Sequence, residues 1–178
     1  MEETILCYVC DVAAGREAAT IAYEDDLVTA LLASKPINPG QLVIVPKEHA
    51  ATLAQLGEET GTHLFQVTMR LMEAIGKSGI KCDGFDPEFS EGKTSFRKHL
   101  FLTLLPRFKG DYFWLEGMRD RDLGRELSKR TSLTLWAFEH GYDAGVVLFG
   151  REEMTAEQLN EVATKICDAY KSLWPDDP

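Results

Sequence analysis

The chain has 178 residues, 44% of them hydrophobic, enough for one sizeable core or for one domain with an extension. Lys and Arg number 19 against 29 Asp and Glu, a formal charge of -10 at pH 7. That balance disfavours unspecific nucleic-acid binding, which needs a basic surface to displace phosphate counterions, and disfavours an anionic membrane face; it still permits a small anion held by backbone amides at one site.

Met1-Glu2-Glu3-Thr4 has no basic n-region, and no apolar run approaches a membrane span, so a soluble cytoplasmic protein is expected. Four cysteines in that setting point to a metal site or free thiols before disulfides. Beyond the Cys7-Tyr-Val-Cys10 knuckle, Ile21 to Tyr23 and Leu27 to Leu32 read as short strands, with Glu24-Asp25-Asp26 as the turn. Ile37-Asn38-Pro39-Gly40 is a turn signal, and Gln41 to Val45 is a buried strand stopped by Pro46. From Glu58 the period becomes helical: Leu64, Phe65, Thr68, Leu71, Met72 and Ile75 recur at 3.6 spacing, and Gly76 and Gly79 mark the end.

Cys82 to Thr94, rich in Gly, Pro, Asp and Glu, reads as a loop. His99 to Leu105 reads as a strand, with His99, Phe101, Thr103 and Leu105 on one face and Leu100, Leu102 and Leu104 on the other. Glu116 to Arg130, densely charged with few apolar anchors, reads as an exposed helix, and Leu133 to Phe138 and Val146 to Phe149 read as strands around a turn that contains His140. Thr155-Ala-Glu-Gln158 is a capping box, with Met154 and Leu159 placed as a hydrophobic staple. The helix that follows carries Leu159, Val162, Ala163, Ile166, Tyr170 and Leu173 on one face and ends before Pro175. His63 and His140 read as solvated, and Cys82 and Cys167 have no evident partner.

Four segments, in this order, resemble the histidine-triad (HIT) superfamily. They are Cys7-Tyr-Val-Cys10; Tyr23-Glu24-Asp25-Asp26; Pro39-Gly40-Gln41-Leu-Val-Ile-Val-Pro46-Lys47-Glu48-His49; and His99-Leu-Phe-Leu-Thr-Leu-Leu-Pro-Arg107 followed by Phe108-Lys109-Gly110-Asp111. The resemblance implies an α+β fold, an antiparallel sheet crossed by a long helix, that commonly pairs as a homodimer. It spans residues 1–113; residues 114–178 are then an extension of charged helix, β-hairpin and C-terminal helix packed on the same domain.

In zinc-carrying members the resemblance places the metal on four residues, which match Cys7, Cys10, His49 and His99. Two thiolates and two imidazoles make a closed tetrahedral Zn²⁺ site of the structural kind. The plain alternative is that the cysteines are small buried hydrophobes and the histidines merely packed. Two of only four histidines fall on matching positions, which favours the metal. A redox dithiol is disfavoured, since no thioredoxin-like βαβ context surrounds the knuckle.

Family enzymes use the middle histidine of the triad strand as a nucleophile on a nucleotide α-phosphorus. Here that position is Phe101, which has no lone pair to attack with. The third triad position is Thr103, and a further family histidine matches Gln41. The phosphate-binding segment before the strand reads Thr94-Ser95-Phe96-Arg97-Lys98, and Glu88 lies where an Asn usually meets phosphate and would repel it. Ser95, Arg97, Lys98 and Thr103 are the candidate ligand contacts. One expectation is a zinc-stapled HIT-like module that binds a nucleotide or a partner without the family's phosphoryl chemistry. The second is a hydrolase or transferase for nucleotide phosphate esters or phosphoramidates with a rearranged site on Thr103, Arg97, Lys98 or residues of the extension. The third is a purely structural protein.

Overall fold

A computed structural model of the chain describes residues 7–13, 15–91, 99–109, 111 and 153–177. Elements follow in the order α1 (Tyr8–Ala13), β1 (Ile21–Glu24), β2 (Val28–Leu32), β3 (Leu42–Pro46), a 3₁₀ turn (Leu53–Gln55), α2 (Glu58–Lys77), β4 (Gly84–Ser90), β5 (Phe101–Arg107) and α3 (Ala156–Leu173). The charged helix expected at 116–130, the strands around His140, and Ser95, Arg97 and Lys98 lie outside the described residues.

The five strands form one sheet in the order β1-β2-β3-β5-β4, with every neighbouring pair antiparallel. Alternation along the central strands separates two faces. Val28, Ala30, Leu32, Leu42, Ile44, Leu102 and Leu104 join the core beneath α2 and α3, whereas Val43, Val45 and Phe101 face a smaller cluster with Cys7, Val9 and Cys10. The sheet is therefore covered on both sides. The turn before β3 depends on Gly40 at φ +85, where a Cβ would also meet the Ile80 side chain at 3.3 Å.

The segment expected as a loop from Cys82 contains a full edge strand. Proline ends most strands because it cannot donate to a ladder, but among the described residues β4 pairs only with β5, and an edge strand tolerates proline on its unpaired side. The β5 strand begins at Phe101 and runs to Arg107, two residues later at each end than the pattern predicts. On α2 the buried positions are Thr60, Leu64, Val67, Thr68, Leu71, Ala74 and Ile75. Phe65, expected in that face, is 44% exposed and stacks on Phe89 of β4 with ring centroids 5.7 Å apart. Val67 and Ala74 hold the centre of the buried stripe instead.

The expected capping box at α3 is present. The Thr155 hydroxyl accepts from the Gln158 amide at 3.2 Å, and the Gln158 side chain accepts from the Thr155 amide at 2.9 Å. Buried Val162, Ala163, Ile166 and Tyr170 then seat α3 against α2 and β1.

A candidate metal centre at the junction of three segments

Cys7 and Cys10 lie at the start of α1, His49 in the loop after β3, and His99 just before β5. The sheet joins them. β3 and β5 are adjacent antiparallel strands, so the end of one lies beside the beginning of the other. The Leu100 amide then donates to the Ala50 carbonyl at 2.7 Å, fixing together the residues that follow each histidine. Val9 packs with Val45, which lays α1 across the same corner.

The four side chains converge: one ligand atom from each lies within 4.8 Å of all the others. His99 Nδ1 is 3.5 Å from both the Cys7 and the Cys10 sulfur, and His49 Nδ1 is 3.1 Å from the Cys10 sulfur. The two imidazoles meet edge to face with centroids 5.0 Å apart. His99 Nε2 donates to the Pro46 carbonyl at 2.9 Å, which orients the ring and directs Nδ1 at the sulfurs. Burial holds the His99 pKa below its usual value, and the neighbouring His49 adds to that, so the ring is the neutral form a cation requires. Burial, reinforced by the adjacent Cys7 thiol, pushes the metal-free Cys10 thiol up to about 11. Tetrahedral ligands about 2.0–2.3 Å from a metal stand roughly 3.3–3.8 Å from one another, close to the spacing seen. The donor set thus fits a divalent, thiolate-accepting cation.

Beside this quartet stand the positions where the resemblance places the triad. Phe101 packs in the apolar cluster with Cys7, Val9 and Val45. Thr103 is half-buried on the same face, opposite Val43 on β3 and Glu88 on β4. Gln41 is 9% exposed, and its side-chain carbonyl accepts the Ile37 amide at 2.7 Å, closing the turn before β3. Asp111 is likewise structural. Its buried carboxylate takes the Arg107 guanidinium at 2.5 Å, the Phe108 amide at 3.2 Å and the Asn38 side chain at 3.1 Å. Arg107 also pairs with Asp86.

His63, expected in solvent, is bonded instead: its Nε2 lies 2.6 Å from Asp25 Oδ2. The same carboxylate accepts from the Tyr23 hydroxyl at 2.5 Å and from the Leu27 and Val28 amides at 2.8 and 2.7 Å. The Tyr23 ring packs on Tyr170 at 4.7 Å, and Tyr170 donates to Asp177, which also takes Arg70 at 2.6 Å. His63 and Arg70 are two turns apart on α2, so this chain of groups leaves and rejoins one helix. The only forward sign in the sequence was the i,i+7 spacing of those two residues.

Residues 14–108, more than half of the chain, match the HIT domain. The chain is 26% identical over 108 residues to an uncharacterized HIT-like protein of Methanocaldococcus jannaschii, covering 60% of this chain and 82% of that one. It is 27% identical over 134 residues to adenylylsulfatase HINT3 of Arabidopsis thaliana, covering 71% of this chain and 64% of that one. Among solved structures, a zinc-bound histidine triad family protein from Mycobacterium smegmatis superposes with a TM-score of 0.67 at 21% identity, covering 98% of this chain and all of that one. The antiparallel sheet crossed by α2 is the fold those structures share, and with the domain match it makes this chain a member of the HIT family.

Proposed function

We propose that this protein is a zinc-stapled HIT module that has exchanged nucleotidyl transfer for binding. Cys7, Cys10, His49 and His99 would hold a structural Zn²⁺; the zinc-bound structural relative and the convergence of the four donors support that assignment. The observation that carries the loss of chemistry is Phe101. An apolar ring packed against Val45 and the knuckle occupies the nucleophile's place, and no lone pair replaces the imidazole. Thr103, Ser95, Arg97 and Lys98 are the side chains left to contact a nucleotide or another partner. Pairing into a homodimer is supported by a largely apolar groove at the β4 edge lined by Leu53, Phe65, Pro87, Phe89, Leu102 and the carboxylate-bearing Glu91, with Met69 63% exposed one turn along α2 from Phe65. A cytoplasmic setting belongs to this reading; among the described residues no helix is long and apolar enough to cross a membrane.

The test incubates the purified protein with an adenosine phosphoramidate, an adenylyl sulfate and a dinucleoside polyphosphate, and reads products by mass spectrometry. No turnover, with AMP or GMP binding seen by calorimetry, is the expected result. Turnover abolished by Thr103→Ala or Arg97→Ala would establish the second reading, a hydrolase with a rearranged site. Similarity to an adenylylsulfatase and the half-buried Thr103 hydroxyl on the same face favour keeping that alternative. Metal analysis of the reduced protein is expected to show near-stoichiometric zinc, lost in Cys7→Ser.

A further inference from the structure

We infer that the metal centre is also an oxidant-operated latch, in which a hydroperoxide joins Cys7 to Cys10 and thereby frees residues 7–13 from the sheet. The inference rests on the zinc reading above. Its first support is the uneven exposure of the quartet. Cys7 and His99 are only 8% and 1% exposed, whereas Cys10 is half-buried and His49 exposed. A small solute therefore reaches the sulfurs from the Cys10 side, while Cys7 remains sheltered against over-oxidation.

The second support is proximity. The two sulfurs are no more than 4.8 Å apart, and only two residues separate them in sequence. Cys7 stands just outside the first helical residue, holding α1 through its carbonyl, which accepts the Asp11 amide at 3.0 Å. Its side chain can turn toward Cys10 without breaking an internal helical turn, as disulfide geometry requires. Cys82 and Cys167 sit on other parts of the chain, and the Cys82 thiol is engaged with the Gly84 carbonyl at 3.1 Å.

The third support is how short α1 is. A six-residue helix is not stable alone in water. Among the described residues its apolar attachment is the cluster of Cys7, Val9 and Cys10 with Val43, Val45 and Phe101, together with buried Val12, and its Asp11–Arg16 ion pair stays within the segment. Metal ligation adds to these apolar contacts at the N-terminal end of α1, and its loss would weaken the hold of α1 on the Phe101 face.

The chemistry balances. The two thiolates surrender two electrons to the peroxide O–O bond; that bond breaks as the S–S bond forms. Two protons from solvent complete two waters, or water and an alcohol when the oxidant is an organic hydroperoxide. Left with two imidazoles, the quartet no longer retains the dication. This is a stoichiometric event rather than dithiol catalysis, so no thioredoxin-like surroundings are needed.

The test uses the full zinc-loaded chain, freed of reductant and treated with hydrogen peroxide. Zinc release is followed with a chromogenic chelator, and the peptide holding residues 7 and 10 is weighed. Near-stoichiometric zinc release, in step with loss of two hydrogens from that peptide and reversed by a dithiol with added zinc, is expected. The Cys82→Ser/Cys167→Ser protein should behave the same way, and proteolysis should quicken at the N-terminal segment of oxidised protein. Retained zinc with Cys7 and Cys10 still open to alkylation after treatment, or disulfides routed to Cys82 or Cys167, would overturn the latch. Reduced protein without zinc would instead sink the zinc reading. Peptide mass on that same metal-free chain then decides the disulfide separately, and because the mapping is done on the parent protein it does not depend on a cysteine variant folding.

Discussion

Asp25 joins three segments with one carboxylate: Tyr23 on β1, the amides that open β2, and His63 on α2. Burial opposes its ionisation, but the bonds from His63, Tyr23 and the two amides outweigh that and hold its pKa below the usual value. Asp177 is lowered in the same way, with burial offset by Tyr170 and Arg70. A carboxyl that binds protons more weakly folded than unfolded contributes stability that is whole above the ordinary carboxylate range and is lost as the pH falls through the folded value. Asp25→Asn should lower unfolding free energy by about 2 kcal/mol at neutral pH in a urea titration, a typical cost for a charged buried hydrogen-bond hub. The gap to the parent should narrow below about pH 4. Thr29 presents the opposite case, a side chain 1% exposed whose hydroxyl finds no partner among the described residues. Thr29→Val, matched in shape and branched for a strand, should raise stability by about 1 kcal/mol in the same assay. Neither residue's role was legible beforehand: a hydroxyl without a partner and a carboxylate with four are the same letters in a sequence until distant segments meet.

At the scale of elements, α2 and α3 could be read from their helical period because each buries one face, and β1, β2 and β3 from short apolar runs bounded by turn residues, β2 being buried throughout. The β4 strand could not, since its Gly, Asp and Pro resemble a turn and only its place at the edge makes them tolerable. The sign overlooked was Phe85 and Phe89 at even spacing, both of which pack against the core. Phe65 was misplaced because it follows Leu64, and a 100° step takes it off the buried stripe onto Phe89. That exposure gives the pairing proposal its test. Phe65→Glu with Met69→Glu should convert a dimer to a monomer in sedimentation at micromolar concentration while leaving the thermal midpoint of the monomer close to the parent's. A parent that is already monomeric would discard the pairing. On α3, Thr155→Ala should cost about 1 kcal/mol by removing the cap, and Ile166→Ala about 3 kcal/mol, because Ile166 is fully buried; both can be measured by chemical denaturation.

For the molecule as a whole, the metal quartet is a long-range object: Cys7 and His99 are 92 residues apart. Spacing within the sequence suggested two sulfur ligands and nothing more; the ordered frame of the family supplied the other two, and the adjacency of β3 and β5 supplies the physical reason they meet. If zinc fills it, a strong chelator applied to reduced protein should lower the thermal midpoint by on the order of 10 °C, with addition of zinc restoring it. The matched HIT segment, residues 14–108, begins after both cysteines and stops before α3. Yet Cys7 and Cys10 complete the quartet, and Ile166 and Tyr170 lie in the same core as Leu64 and Leu71. The segment matched as a domain is thus shorter than the length that coheres physically. A piece cut to the matched segment alone would lose two of its four metal donors and one wall of its core, so the unit that folds is wider than the unit that the domain match marks.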